Sequence, residues 1–219
     1  MASGKRARRD NVIQLERNPV EYGFTDVKPL NFIQAEYLRA IQSNQIVFGV
    51  GSAGTGKTYV AATYAAGELF HRRIQKIILT RPNVETGRGL GFLPGTLEEK
   101  YAPYLEPFDN VFTRSLGKGF YEYALKAKTI EPKPLGFMRG ATFDNCIVLL
   151  DEAQNATKEE MKMLLSRIAK NCKMIISGDV DQSDIPDSGL SDAIHRLDCI
   201  PDIEVVRFMD DDIVRSKMC

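Results

Sequence analysis

Five short runs of the chain are apolar without a strict alternation of apolar and polar positions. They cover residues 46–50, 76–80, 146–150, 173–177 and 203–208. Strands that are buried on both faces of a sheet show this pattern, because neither face meets water. We therefore predict five buried strands.

Before and between these runs, apolar positions recur at helical spacing and predict three helices, one beginning near Asn31 and the others over 58–70 and 157–171. The first is expected to pack through one apolar face, formed by Phe32, Ala35, Leu38 and Ile41. The third starts with Thr157 and has Glu160 three residues later, which is a capping box. Its predicted apolar stripe consists of Met161, Leu164, Leu165 and Ile168.

Strand and helix alternate repeatedly along the chain, which predicts an α/β fold with a mostly parallel sheet and helices on both faces. Residues 1–28 are polar and basic and are predicted to form an N-terminal tail, and 29–219 are predicted to form a single domain. Residues 83–142 are rich in glycine, proline and aromatic residues and separate two predicted strands. So long an insertion is expected to contain loops with one or two short helices.

Composition adds little about partners. The 219 residues include 29 acidic and 29 basic side chains, so net charge indicates neither nucleic acid nor a membrane surface as a partner. The four cysteines are too widely spaced for the usual zinc motifs or for a disulfide framework. No apolar run reaches the length of a membrane span or follows the basic N-terminus as a signal peptide would. We expect a soluble, cytoplasmic protein with no membrane partner.

One phosphate-binding motif, G-x-x-x-x-G-K-[ST], stands between a predicted strand and a predicted helix. It consists of Gly51, Ser52, Ala53, Gly54, Thr55, Gly56, Lys57 and Thr58. Its glycines let consecutive backbone N–H groups face the phosphates, and the helix that follows adds its positive end. Lys57 is expected to reach the β and γ phosphates, and the Thr58 hydroxyl to bind Mg²⁺. The motif predicts a P-loop NTPase.

Acidic residues follow a second predicted strand. Asp151 comes directly after residues 146–150 and is expected to hold Mg²⁺, while Glu152 is placed to act as general base toward water. The simpler interpretation is a pair of solvated acids in a turn. Gln182 follows another predicted strand, where it is suited to sensing the γ phosphate or orienting water. The phosphate loop favours the catalytic interpretation for all three.

The motifs also resemble a known family, the PhoH family of bacterial and phage ATPases, whose core is similar to the first motor domain of superfamily 1 helicases. The resemblance covers about residues 28–216, with matching motifs at 48–58, 80–82, 91–95, 134–140, 150–155, 177–179 with Gln182, 188–190 and 212–215. It implies a RecA-like sheet and an ATPase that uses Mg²⁺. Ser52 departs from the family pattern, in which proline is expected.

The resemblance also implies roles for single residues. Gln34 resembles the helicase glutamine that contacts adenine, and Tyr59, directly after the loop, is included in the predicted nucleotide-binding set. Arg81 lies in a motif that resembles one near the nucleic-acid strand. Arg215 lies where the family could supply an arginine finger to a neighbouring subunit.

A single motor domain of this kind is expected to complete its site with a second copy, so the resemblance implies a homo-oligomer, a hexameric ring, that hydrolyses ATP and acts on single-stranded RNA or DNA. The alternatives are an ATP-dependent scaffold or switch with slow hydrolysis, and a P-loop kinase. The insertion is the candidate surface for nucleic acid or for oligomer contacts, because it interleaves basic residues with aromatic ones, Phe92, Tyr101, Tyr104, Phe120 and Tyr121. Those aromatic residues could equally form a small core.

Overall fold

A six-stranded sheet forms the centre of the computed structural model, which describes residues 23–82 and 97–214, and of residues 97–104 the backbone alone. The strands are β1 (Ile46–Gly51), β2 (Lys76–Thr80), β3 (Ile130–Pro132), β4 (Cys146–Leu150), β5 (Lys173–Gly178) and β6 (Ile203–Phe208). Their order is β3-β2-β4-β5-β1-β6, and every described pair is parallel. The predicted α/β class with a mostly parallel sheet is confirmed.

Helices cover both faces of the sheet. They are α1 (Phe32–Ser43), α2 (Lys57–Phe70), α3 (Leu97–Leu116), α4 (Lys118–Lys126), α5 (Lys158–Leu165) and α6 (Gly189–Leu197). Successive strand residues point to opposite faces, so each strand contributes to two cores. In β4, Ile147 and Leu149 pack in the core under α1 to α4, whereas Val148 and Leu150 pack in the core under α5 and α6.

All five predicted strands are present, but the buried face of α1 is only partly the predicted one: Ile41 is buried and Leu38 packs against the core, whereas Phe32 does not. Phe32 is 73% exposed, and the residues of α1 that face the core are Gln34, Tyr37, Ala40 and Ile41. The face is rotated because the buried amide of Gln34 bonds to the phosphate loop and the Tyr37 hydroxyl approaches Ser177 of β5 at 3.4 Å. The polar contacts of Gln34 and Tyr37 therefore set the orientation of this helix, and the pattern of apolar positions gives no information about them.

Helix α5 has the predicted capping box, with Thr157 and Glu160 each bonding the other's backbone N–H. Its predicted end at residue 171 is wrong, because the helix stops at Leu165. The backbone after Leu165 instead pairs with Phe143. The Phe143 N–H donates to the Arg167 carbonyl at 3.0 Å, and the Ala169 N–H donates to the Phe143 carbonyl at 3.0 Å. This pairing turns the chain back toward β5.

The described part of the insertion, residues 97–142, has more regular structure than predicted. It contains the 20-residue α3, α4 and an additional edge strand, β3, that pairs with β2. Phe108, Phe112 and Tyr121 are buried in the core, and the rings of Phe112 and Tyr121 stack 5.5 Å apart. Phe120 packs against the same core. For Phe120 and Tyr121 the packing role is therefore the correct one.

The predicted tail falls mostly outside the described residues, which begin at Gly23. Residues 23–28 lie against the domain: the Phe24 ring stacks on Phe70 of α2 at 5.6 Å, and the Thr25 N–H donates to the Ser115 carbonyl at 3.0 Å. The boundary at residue 28 stays a prediction. Over the residues that can be described, no helix is both long enough and apolar enough to cross a membrane.

If α3 is part of the main core, truncating Phe112 should destabilise the whole domain. We expect Phe112→Ala to lower the free energy of unfolding by about 3–5 kcal/mol, because it leaves a cavity in a fully buried site. Tyr123→Ala on the exposed side of α4 is the control and should change stability by less than about 0.5 kcal/mol. Equal effects of the two changes in denaturant unfolding would show that α3 does not belong to the core.

Candidate nucleotide-binding site

The phosphate loop connects the end of β1 to the first turn of α2. Gly56 caps α2 with a φ of +89°, and a Cβ there would lie 2.5 Å from the amide nitrogen of Gln34. Both facts require glycine at this position. The loop therefore leads directly into the first turn of α2. The backbone N–H groups of a first helical turn have no partner within the helix and can bind phosphate.

Lys57 folds its side chain back along the loop. Its Nζ donates to the carbonyls of Gly51 and Ser52 at 2.6 and 2.7 Å and to the Thr55 hydroxyl at 3.2 Å, and it lies 5.7 Å from the centre of the Phe208 ring. Burial lowers the pKa of Lys57, and the nearby acids Asp179, Asp151 and Glu152 act in the opposite direction. Neutral oxygen atoms therefore hold the Lys57 ammonium group at the loop. A phosphate oxygen, which carries negative charge, is a stronger acceptor for this group.

Asp151 is buried at the end of β4, directly opposite the loop. The Thr58 hydroxyl lies 3.5 Å from Asp151 Oδ1. Burial raises the pKa of Asp151 to about 6, with Arg81 lowering it and Glu152 raising it further. A hydroxyl and a carboxylate oxygen side by side are ligands that suit Mg²⁺. The two residues predicted to hold the metal are therefore adjacent in the structure.

Glu152 directly follows Asp151, but its carboxylate has its own partners, Arg81 and Gln154. One carboxylate oxygen accepts from Arg81 Nη2 at 3.0 Å and the other from Gln154 Nε2 at 2.6 Å. Its backbone has φ +53° and ψ 39°, a left-handed conformation that is uncommon for a residue with a side chain. The side chain is 45% exposed. Glu152 is thus held firmly while remaining open to water.

A polar cleft of about 550 Å³ runs along the edge of the sheet beside Glu152. It is lined by Arg81, Pro82, Glu152, Gln154, Asn155, Gln182, Ser183 and Asp184. Gln182 lies in the turn after β5, where its N–H donates to the Asp179 carbonyl at 3.2 Å. The structure thus brings Gln182 and Glu152 to one cleft, at the edge of the sheet that also carries the phosphate loop.

Gln34 and Tyr59 lie beside the loop, and both side chains have protein partners. The fully buried Gln34 donates from Nε2 to the Thr55 carbonyl at 2.9 Å and accepts from the Leu30 N–H at 2.9 Å. The Tyr59 hydroxyl accepts from the Lys28 N–H at 3.3 Å. Gln34 therefore supports the loop from below. That Gln34 and Tyr59 contact the nucleotide stays a prediction.

The segment after β6 also touches the loop. The Ser52 hydroxyl donates to Asp210 Oδ1 at 2.5 Å, and the Val214 N–H donates to the Gly54 carbonyl at 3.1 Å. These contacts join positions more than 150 residues apart, so no local pattern indicates them. Arg215 itself lies outside the described residues, and its predicted role stays a prediction.

The raised pKa of Asp151 makes a prediction about stability. An acid whose pKa is higher in the folded state than its ordinary 3.8 destabilises the fold when it ionises. Without Mg²⁺, the free energy of unfolding of the wild type should therefore fall relative to Asp151→Asn by up to about 3 kcal/mol between pH 4 and pH 7. Urea unfolding of both proteins across this range measures it, with pH 4 as the internal control. A stability difference that does not change with pH would contradict the assignment.

The chain is similar in sequence to known proteins. Residues 26–219 match the family described as PhoH-like protein. The chain is 44% identical over 202 residues to Protein PhoH of Escherichia coli (strain K12), covering 89% of this chain and 57% of that protein. It is 48% identical over 188 residues to the PhoH-like protein of Bacillus subtilis (strain 168), and the match covers 84% of this chain and 59% of that protein.

A crystal structure of Pif1 helicase from Candida albicans aligns with a TM-score of 0.41 at 15% identity, covering 84% of this chain and 41% of that one. The chain spans less than two thirds of the length of the relatives it matches. With the family match over nearly all described residues and an intact phosphate loop beside Asp151, the chain belongs to the PhoH family of P-loop NTPases.

Proposed function

We propose that this chain hydrolyses ATP with Mg²⁺ as cofactor. The observation that carries the proposal is the contact between Thr58 and Asp151, 3.5 Å apart, with the Lys57 ammonium in the same loop. This combination supplies two oxygen ligands for the metal and a cation for the phosphates. Mg²⁺ bound to phosphate oxygens would neutralise charge that develops as the terminal phosphate leaves.

The chain's own residues take distinct roles in this proposal. Lys57 exchanges its carbonyl partners for oxygens of the β and γ phosphates, and the loop N–H groups bind the rest of the triphosphate. Glu152 accepts a proton from the attacking water, and Gln182 orients that water from the neighbouring turn. The side-chain bond of Gln34 to the Thr55 carbonyl helps to keep the loop in shape, and the same amide is the candidate contact for adenine.

Adenine is favoured over guanine because guanine-specific P-loop switches normally carry an Asn-Lys-x-Asp sequence, which this chain lacks. Hydrolysis is favoured over transfer to a small acceptor because Glu152 directly follows the metal ligand and faces an open cleft. A general base for water is of no use to a kinase that must keep water out of its site.

A homo-oligomer, a hexameric ring acting on single-stranded RNA or DNA, is the fuller form of the proposal. The support is that Glu152 and the cleft beside it are open along one edge of the domain, so that a second copy or a strand has access to them. Arg81 is the cationic residue among the described residues that line this cleft, and its guanidinium group is suited to a backbone phosphate. In the ring, Arg215 of one copy would reach the nucleotide of the next.

A slowly hydrolysing scaffold is the second candidate function. The bonds of Lys57 to its own loop favour it, because an isolated subunit would have to break them before Lys57 could bind a phosphate. The two candidates share the site and differ in whether a strand accelerates hydrolysis.

Steady-state hydrolysis separates these candidates. We expect the wild type to hydrolyse ATP, single-stranded RNA or DNA to increase the rate several-fold, and Lys57→Ala to lower it by at least about 100-fold, because it removes the cation at the phosphates. Glu152→Gln should lower kcat by about 100-fold or more while nucleotide still binds.

The matched control is Lys162→Ala, which removes an exposed lysine of α5, outside the insertion, and should leave hydrolysis unchanged. Hydrolysis that depends on Lys57 but ignores both kinds of strand would favour the scaffold. Bound nucleotide with no hydrolysis under any condition would overturn the proposal.

The oligomer makes a separate prediction. Light scattering coupled to gel filtration should give a mass several times that of the 24.5 kDa chain when Mg²⁺ and an ATP analogue are present. Arg215→Ala should leave that mass unchanged but lower kcat by about 10³-fold or more, since an arginine supplied in trans stabilises the transition state. A mass of one chain at every concentration would contradict the ring.

A further inference from the structure

Gln154 has a buried side chain whose two ends are both bonded. It lies in the short turn Ala153–Asn155 after the acidic pair and is 3% exposed. Its Oε1 accepts from the Asp179 N–H at 3.0 Å, and its Nε2 donates to Glu152 Oε2 at 2.6 Å. Because a backbone N–H can only donate, Asp179 fixes which end of the amide is the oxygen. The NH₂ group must therefore face Glu152.

Arg81 holds the same carboxylate from the other side. Its Nη2 lies 3.0 Å from Glu152 Oε1, and its Nε lies 3.9 Å from Asp151 Oδ2. One donor on each oxygen leaves the carboxylate little freedom to rotate. The left-handed backbone of Glu152 is a second sign that its position is imposed by its surroundings, since such a conformation persists only where neighbours maintain it.

The turn of Gln154 is also bonded to residues 179–184, here called the Gln182 turn. The Ser183 hydroxyl donates to the Gln154 carbonyl at 3.0 Å. The Asp184 N–H donates to Asn155 Oδ1 at 2.9 Å, and Asn155 Nδ2 donates to Asp184 Oδ2 at 3.2 Å. With the bond to Asp179, the two turns share four hydrogen bonds.

Close packing strengthens this link. Gly178 ends β5 immediately before the Gln182 turn, and a Cβ there would lie 2.9 Å from Gln154 Oε1 and 2.7 Å from Leu190 Cδ2. Any larger residue would push the amide off Asp179. The Gln182 turn and Glu152 are therefore connected through a packed, fully bonded glutamine.

We propose that Gln154 and Arg81 are positioning residues for Glu152, and that Gln154 couples the orientation of this base to the Gln182 turn. The inference rests on the proposed function, in which Glu152 accepts the proton of the attacking water. Gln154 orients the Glu152 carboxylate by donating a hydrogen bond from its neutral amide to one oxygen, and Arg81 binds the other oxygen. A displacement of the Gln182 turn moves Gln154 and, through it, the base.

The test measures kcat and KM for ATP in Gln154→Met, Arg81→Ala and Arg81→Lys. Methionine keeps the length of the buried side chain but donates no hydrogen bond. We expect each of Gln154→Met and Arg81→Ala to lower kcat by about 10–100-fold with KM within about twofold, because a misaimed base affects the chemical step and not binding. Arg81→Lys should recover part of the rate, since it keeps the charge but not the fork of donors.

The decisive comparison uses the Glu152→Gln background, with residual rates taken from single turnovers. In that background, Gln154→Met should lower the residual rate by less than about twofold, because a residue that acts through the Glu152 carboxylate has no carboxylate left to position. A purely structural role would give the same loss in both backgrounds. Thermal unfolding of each variant checks that the fold is retained, and Arg81→Lys carries the test if Gln154→Met does not fold.

Gln45→Met is the matched control, because Gln45 is an exposed glutamine whose amide donates to the Ala169 carbonyl at 3.5 Å, at the other end of β1. It should leave kcat unchanged. An unchanged kcat in Gln154→Met, a full loss that persists in the Glu152→Gln background, or a faster rate in Arg81→Ala would each overturn the inference while leaving the ATPase intact. A Glu152→Gln protein as active as the wild type would instead overturn the role proposed for Glu152 as general base and, with it, this inference.

Discussion

The alignment of neighbouring parallel strands is the constraint on which the site depends. Thr80, Leu150, Ile176 and Phe48 are level across β2, β4, β5 and β1. Parallel strands present their carboxyl ends at one edge, so the residues that follow emerge together. Arg81, Asp151 and the start of the Gln182 turn therefore meet beside the phosphate loop. A slip of one residue in any strand would turn its terminal side chain to the opposite face.

This arrangement concentrates charge at the expense of stability. Asp151 is buried, and its pKa of about 6 reports the cost of ionising it there. Lys57 and Arg81 offset part of that cost, although burial also lowers the pKa of Lys57. Buried charges that are only partly compensated are typical of sites that bind a charged ligand, because the ligand completes the compensation. The edge is thus better suited to a phosphate with its metal than to solvent.

The sequence indicates the candidate site residues more fully than the contacts that surround them. The phosphate loop and the acidic pair are contiguous, so their spacing identifies them without a structure. Gln154 is part of the same contiguous run, yet its role depends on Asp179, whose N–H meets it only in the folded sheet. The contact between Ser52 and Asp210 is likewise invisible in the sequence, because it joins distant parts of the chain.

The insertion was the least predictable region for a physical reason. Pro103 and Pro107 both interrupt helical hydrogen bonding, so the segment was expected to be broken. The backbone of α3 nevertheless continues through them, and Phe108, Phe112 and Leu116 are buried beyond. Tertiary packing outweighs local propensity there. The edge strand β3 is missed because its three residues, ending in Pro132, carry no periodicity of their own.

The central claim is that the loop with Thr58 and Asp151 forms one site for a triphosphate and its metal. Calorimetric titration with a non-hydrolysable ATP analogue at pH 8, with Mg²⁺ and with EDTA, tests it most directly. The account predicts that Mg²⁺ tightens binding to the wild type by at least about tenfold, or 1.4 kcal/mol, and that Asp151→Asn loses this gain while still binding the analogue. Equal affinity with and without Mg²⁺, or an undiminished effect of Mg²⁺ in Asp151→Asn, would contradict it.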